Sequence, residues 1–415
     1  MNAYFHSNFC YYFFDVSDGE LQMNPIVIIG SGMAGYTLAR EFRKLDTTTP
    51  VVMISADDAV NYAKPTLSNA LVGNKHPDQI GLGDSAKMSA QLNINILPHT
   101  IVSHVDCENH TLQLKHQNGE QTTQVYSKLI LAVGANPIRL PIEGDGAEDI
   151  HVVNSLADYR TFRDTLSLRT DKRVLLLGAG LIGCEFANDL KATGHDVTVV
   201  DIAPQPLGRL LPADTAQAFQ AGLEHIGVQF ALNTTVQRIN RAGQDYEVSL
   251  TNGNTLIVDI VLSAIGLRPN LQLAQAANIQ TSRGIEVDAL LQTSQPDIYA
   301  IGDCAEVAGH LLPFVMPIMQ QARALAKTLA GTSTAVHYPA MPVAVKTPAA
   351  PLTVLPAPAD VQVEWQTEQF EDGMLAKAMD NDGTLRGFVL LGATAGKQRM
   401  ALTKLVPDLL PAASA

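Results

Sequence analysis

The chain has 415 residues, 46% of them hydrophobic, and a formal net charge of −13. That length exceeds one ordinary core and predicts about two or three domains. The acidic balance argues against a nucleic-acid binder, whose domains present a basic face to phosphate. No stretch reaches the roughly eighteen uninterrupted apolar residues of a spanning helix, so membrane insertion is not expected. Cys10, Cys107, Cys184 and Cys304 lie too far apart for a CxxC pair, which suits a reducing cytoplasm without a disulfide framework, and no residues are assigned to a metal.

In chain order, the first segment crowds Tyr4, Phe5, Phe9, Tyr11, Tyr12, Phe13 and Phe14 ahead of Asp15, Asp18 and Glu20. A secretory signal would need a positive start instead. Because Met23 directly precedes Asn24-Pro25 and an apolar run, residues 1–23 are expected to be a misassigned start or a disordered extension. The alternative is a hydrophobic arm that packs on a neighbour.

Two glycine fingerprints follow, each set between an apolar strand and a helix. The first is Pro25-Ile-Val-Ile-Ile-Gly30-Ser31-Gly32-Met33-Ala34-Gly35, and the second is Arg173-Val-Leu-Leu-Leu-Gly178-Ala-Gly180-Leu-Ile-Gly183. In such a loop the first glycine makes the tight turn, the second admits a pyrophosphate and the third lets helix pack on strand. The pyrophosphate then meets the free N–H groups of a helix start. Two cradles in one chain predict two dinucleotides, as a flavoprotein exchanging hydride with a nicotinamide cofactor requires. Val51–Ile54 forms the return strand of the first βαβ unit, and Asp57 or Asp58 at its end is placed to bind an adenosine ribose. In the second unit Asp201 closes the return strand, eighteen residues after Gly183, and would bind the ribose hydroxyls while repelling a 2′-phosphate.

Leu129-Ile-Leu-Ala-Val-Gly134 reads as the crossing out of the first domain, and Val261-Leu-Ser-Ala-Ile-Gly266 as the re-entry. Residues 228–264 alternate like strands, with Asn252-Gly253 as a turn. An apolar helix is expected over Pro317–Leu329; the prolines from 339 to 358 mark a linker with edge strands, and residues 361–402 resume strand alternation before a closing helix. The fold class is therefore α/β: two Rossmann-like dinucleotide-binding domains, the NAD domain inserted in the FAD domain, plus a small α+β C-terminal domain. The expected boundaries are 24–134 and 267–335 for the FAD domain, 135–266 for the NAD domain and 336–415 for a C-terminal interface domain.

These motifs, together with Ser55-Ala-Asp-Asp, Tyr62-Ala-Lys64-Pro65, Gly302-Asp-Cys-Ala-Glu306 and Val345-Lys346-Thr347-Pro348, resemble the two-dinucleotide-fold pyridine nucleotide flavoproteins related to glutathione reductase. The likeness runs from about residue 24 to 410 and is greatest to the branch that reduces rubredoxin. Disulfide reductases of this family need a cysteine pair beside the flavin, but no cysteine lies between Asn61 and Gly73. Ferredoxin reductases usually carry Arg-Pro-Pro-Leu-Ser-Lys, where this chain has Lys64-Pro-Thr-Leu-Ser-Asn69.

The resemblance implies FAD and NAD(H) as cofactors. It places Ser55, Ala56 and Val102 on the flavin's adenosine end, Asp303 on the ribityl chain, and Lys64 near the reactive flavin ring. It gives Glu185 a role facing the nicotinamide or holding a lysine, against a bland reading as a helix-dipole carboxylate in the first turn. Lys346 completes the flavin pocket or is a solvated strand lysine; Asp303 has an N-cap as its plain alternative. Val315 stands at a helix start whose N–H groups favour negative charge on the flavin. The expected activity is transfer of hydride from NADH to FAD and of single electrons to rubredoxin, feeding alkane hydroxylation. Alternatives are a reductase of ferredoxin or flavorubredoxin, or a non-catalytic FAD/NAD redox sensor. The basic residues Lys397, Arg399 and Lys404 on the closing helix are a candidate docking patch or a solvated face; the oligomeric state is open.

Overall fold

The computed structural model describes residues 14–15, 22–168 and 172–411. The expectation for residues 1–23 lies almost wholly outside them; the described part pairs Phe14–Asp15 antiparallel with Gln22–Met23. The chain divides into two compact units, one of residues 1–61, 82–134 and 269–336, the other of residues 62–81, 135–268 and 337–415.

The first unit is built on a five-stranded parallel sheet in the order Ile298–Ala300, Lys128–Leu131, Ile26–Ile29, Val51–Ile54, Asn95–Leu97. The strands Ile26–Ile29 and Val51–Ile54 are unbroken, fully buried apolar runs because both faces of the sheet are covered. Helices Met33–Arg43 and Val315–Leu329 pack on each other, and the latter begins two residues before the expected Pro317. A three-stranded antiparallel sheet of Thr100–Asp106, Thr111–His116 and Gln121–Val125 completes the unit's main sheets.

The second unit holds another five-stranded parallel sheet, ordered His151–Val152, Ile260–Ser263, Arg173–Leu177, Asp196–Val200, Gln229–Ala231. The antiparallel meander Val236–Ala242, Asp245–Leu250, Thr255–Val258 turns at Asn252-Gly253, as expected, with Gly253 at φ +87°. Because the first sheet draws strands from both before and after this one, the second dinucleotide domain is an insertion.

The C-terminal sheet is antiparallel and runs Val343–Val345, Leu352–Leu355, Leu385–Leu391, Gly373–Met379, Glu364–Phe370. Leu352–Leu355 is thus an interior strand and not the expected edge. Helix Ala213–His225 packs on this sheet, and one core joins Phe162, Phe186 and Phe219 to Val354, Val389 and Leu391. On the opposite face Leu375, Phe388, Ala395 and Leu402 form a smaller core. The closing helix is two short helices, Ala393–Gly396 and Arg399–Thr403.

Candidate functional site

The glycines of the two fingerprints separate by what a side chain would meet. A Cβ on Gly30 would lie 2.2 Å from the Ala132 carbonyl oxygen, and one on Gly35 2.0 Å from that of Gly30. In the second loop a Cβ on Gly178 would lie 2.7 Å from Ala264 O, and one on Gly183 1.9 Å from Gly178 O. Outer glycines are therefore demanded by the protein's own backbone. Gly32 and Gly180 would meet nothing within 4 Å, and their φ values of −70° and −77° suit any residue. Their openness fits a ligand's approach. Both following helices begin without a side-chain cap and without an acidic residue in the first turn. Each leaves about half a positive charge and several N–H groups for a pyrophosphate.

In the first unit the two aspartates after Val51–Ile54 differ. Ser31 Oγ lies 2.6 Å from Ser55 Oγ, and Ser55 donates to Asp57 Oδ1 at 2.5 Å. Ser31 also donates to Asp57 at 3.3 Å, while Ala59 N–H donates at 3.0 Å. Asp57 is thereby tied to the glycine loop, whereas Asp58 only accepts from Val60 N–H. Ala56 is exposed at the strand end. The Thr100 N–H donates to Ser55 O at 2.8 Å, which brings the strand carrying half-buried Val102 alongside; its register shifts between Val102 and His104.

Gly302 lies at φ +82°, and a Cβ on it would come within 2.8 Å of Ala34 Cβ, so the Gly302-Asp303 turn packs against the first fingerprint's helix. Asp303 sits inside the 3-10 turn Gly302–Cys304, whose N-cap is Ile301; the N-cap alternative for Asp303 is corrected. Buried Gln321, which the sequence reading missed, accepts the Gly302 N–H at 2.7 Å. Met33 and Val315 are the first residues of their helices.

In the second unit the helix Leu181–Ala192 presents Glu185, Asn188 and Asp189, at i, i+3 and i+4, as buried polar residues on one face. Glu185 is the fifth residue of the helix, just past the expected first turn, so the helix-dipole reading gives way. Its carboxylate accepts the Ser68 hydroxyl at 2.5 Å, the Lys346 N–H at 2.9 Å and the Lys346 ammonium at 2.5 Å. Asp189 accepts from Leu71 and Val72 N–H at 2.8 and 3.0 Å, and Asn188 Oδ1 from Ala349 N–H at 3.0 Å. Burial raises the Asp189 carboxyl pKa despite those two donors. One helix face thus pins both the 3-10 helix Lys64–Asn69, with Lys64 as its first residue, and the segment after Val343–Val345. Asn188 and Asp189 are missing from the sequence expectations although their helical spacing from Glu185 signals them; Ser68, 117 positions away, carries no such signal.

Asp201 lies one residue past its strand, which ends at Val200. Its carboxylate accepts Ala179 N–H at 2.6 Å and Ala203 N–H at 2.7 Å, which fixes it at the glycine loop. Cys184 and Cys304 are fully buried, and burial pushes the Cys304 thiol up to about 11 and Cys184 higher still. Neither is a nucleophile at neutral pH. Cys107 is half-buried.

Residues 24–328 match the pyridine nucleotide-disulphide oxidoreductase model, and residues 335–406 match the rubredoxin binding C-terminal domain. The chain belongs to the pyridine nucleotide-disulphide oxidoreductase family. It is 70% identical over 392 residues to rubredoxin-NAD(+) reductase of Acinetobacter baylyi, covering 94% of this chain and 100% of that one. It is 43% identical over 390 residues to rubredoxin-NAD(+) reductase of Alcanivorax borkumensis, again covering 94% and 100%. A solved ferredoxin reductase from Rhodopseudomonas palustris superposes with a TM-score of 0.82 at 26% identity, over 92% of this chain and 96% of that one. Among the described residues no helix is long and apolar enough to cross a membrane.

Proposed function

We propose that the chain is an FAD-dependent NADH:rubredoxin reductase, in which one NADH is oxidised to NAD⁺ and a proton while two rubredoxins are each reduced by one electron. The observation that carries this reading is the pair of glycine cradles whose middle glycines face open space in a chain with no cysteine from Asn61 to Gly73. Two dinucleotides have seats, thiol chemistry has none, and the match over residues 335–406 names the carrier. Bound FAD supplies the ability to take a hydride pair and release electrons singly.

The chain's own residues bind, orient and provide charge. Gly30 to Gly35 and the helix behind them hold the FAD pyrophosphate, with Ser55, Ala56, Asp57 and the Val102 backbone on its adenosine and Asp303 on its ribityl chain. Val315 contributes a helix start. Gly178, Gly180 and Gly183 hold the NADH pyrophosphate, and Asp201 takes its adenosine ribose and rejects a 2′-phosphate. Lys64 and Lys346 supply positive charge that favours the reduced cofactor, and Glu185 fixes Lys346. The domains are proposed to follow the boundaries at 134, 266 and 335. The setting is the cytoplasm, with alkane hydroxylation as the consuming pathway.

The test is NADH oxidation by purified holoenzyme with rubredoxin, ferredoxin and flavorubredoxin as acceptors. Rubredoxin is expected to give the highest kcat/KM; a higher value with either other carrier overturns the assignment.

A further inference from the structure

The two short closing helices form a surface unlike the rest of this acidic chain. Residues 393–405 contain Lys397, Arg399 and Lys404 and no Asp or Glu, in a protein of net charge −13. Three arginines of the second unit are held by carboxylates, Arg173 by Asp245 and Asp259, Arg238 by Glu143, and Arg241 by Asp149. Lys397, Arg399 and Lys404 are exposed and make no ion pair among the described residues.

The neighbouring carboxylates are engaged locally. Asp372 accepts the Thr394 N–H at 3.0 Å, and Asp408 stands 2.7 Å from His337 Nε2. Met400 follows Arg399 and Leu405 follows Lys404; they are 70% and 64% exposed, the large exposed hydrophobics of residues 337–411 among those described. Buried Ala395 and Leu402 anchor both helices on Leu375 and Phe388, so the face is held by packed elements. An exposed methionine and leucine, each next in sequence to a cation with no ion pair among the described residues, have the composition of a transient interface, which combines apolar and charged groups.

We infer that this face, Lys397, Arg399, Met400, Lys404 and Leu405, docks the electron carrier, and that its occupant is an acidic protein. Rubredoxins are generally acidic, so against an enzyme of the same overall sign the encounter must be steered by a local patch of opposite sign. The inference rests on the proposed function and specifies which surface of residues 335–406 serves it.

The experiment compares wild-type holoenzyme, the triple variant Lys397→Gln/Arg399→Gln/Lys404→Gln, and Met400→Asp, with rubredoxin and with ferricyanide as acceptors. The triple variant is expected to lose about tenfold or more in kcat/KM for rubredoxin at low salt. Wild type should lose a similar factor as salt rises and the Debye length shortens. Ferricyanide turnover and the flavin spectrum should stay unchanged in every variant, which shows the fold intact. Wild-type rubredoxin kinetics in the triple variant would overturn this inference alone. If Met400→Asp instead converts a dimer to a monomer in solution, the face belongs to a second copy of the chain and the inference falls. If wild type reduces ferricyanide but not rubredoxin, the proposed function fails and takes the inference with it.

Discussion

Glu185 and Lys346, 161 positions apart, meet through two hydrogen bonds, one from the lysine ammonium and one from its backbone N–H. The carboxylate is buried while the lysine side chain is 32% exposed. Truncation to Glu185→Ala strands the Ser68 hydroxyl, a backbone N–H and the ammonium. Removing one partner of a fully buried pair costs about 3–5 kcal/mol; with the ammonium able to reach water, about 2 kcal/mol is expected here. Denaturant unfolding measures it, and a double variant with Lys346→Met should lose less than the sum of the singles. Full additivity would show that the two residues do not act together.

The two cradles predict opposite outcomes for the same substitution. Gly183→Ala forces a methyl group into the Gly178 carbonyl, so it should lower Tm and yield. Gly180→Ala meets nothing within 4 Å in the protein and has a permissive backbone, so it should fold normally but raise the KM for NADH. An NADH affinity unchanged in Gly180→Ala would mean that this loop does not hold the coenzyme.

Asp201 is expected to set coenzyme choice. Asp201→Asn keeps an acceptor for the Ala179 or Ala203 N–H while removing the charge that repels a 2′-phosphate. The ratio of kcat/KM for NADH over NADPH should fall by about tenfold or more, equivalent to about 1.4 kcal/mol. Equal wild-type efficiency with both coenzymes would remove the basis of the assignment.

Lys64→Met is expected to lower the two-electron potential of the bound flavin, each 30 mV of that fall corresponding to about 1.4 kcal/mol. Dye-linked titration of the purified variant gives the value. A potential and a hydride-transfer rate both equal to wild type would leave Lys64 as a structural residue of its 3-10 helix.

Stability in acid should carry the signature of Asp259. The Arg173 guanidinium donates to both its oxygens, at 3.1 and 3.0 Å, and holds the carboxyl down at about 2. A depressed folded pKa gives stability that is complete above the unfolded value of about 3.9 and is lost as pH falls toward 2. The stability gap between wild type and Asp259→Asn should therefore shrink by about 1 kcal/mol from pH 7 to pH 3. Urea unfolding at the two pH values checks this; a constant gap would show that the pair does not perturb the carboxyl.

Both parallel sheets were legible in the sequence because their strands are short apolar runs stopped by glycines with fixed conformational needs, Gly30 and Gly178 above all. The choice between Asp57 and Asp58 was not, because it depends on two serine hydroxyls 24 residues apart that converge on one of them. Likewise Glu185 could be named, but its partners Ser68 and Lys346 come from distant segments that only folding brings to the helix face. The three-stranded sheet of residues 100–125 is not legible in the sequence although Asn118-Gly119 marks its turn; the polar residues Gln113, Lys115, Gln121 and Thr123 fill its outer face, and Thr122 and Gln124 stand opposite Leu114 and Leu112 on the inner one, which dilutes the apolar signal. The closing segment reads as one helix because no proline interrupts Ala393 to Thr403; the structure breaks it at Lys397 and Gln398, between Ala393–Gly396 and Arg399–Thr403.

A two-electron to one-electron relay from NADH to rubredoxin has a fixed stoichiometry that can be measured. Under anaerobic conditions, with excess NADH and a known amount of oxidised rubredoxin, bleaching of the rubredoxin visible band is followed together with NADH absorbance. Rapid bleaching is expected, with two rubredoxins reduced for each NADH consumed. NADH-dependent reduction of ferricyanide without any bleaching of rubredoxin would contradict it.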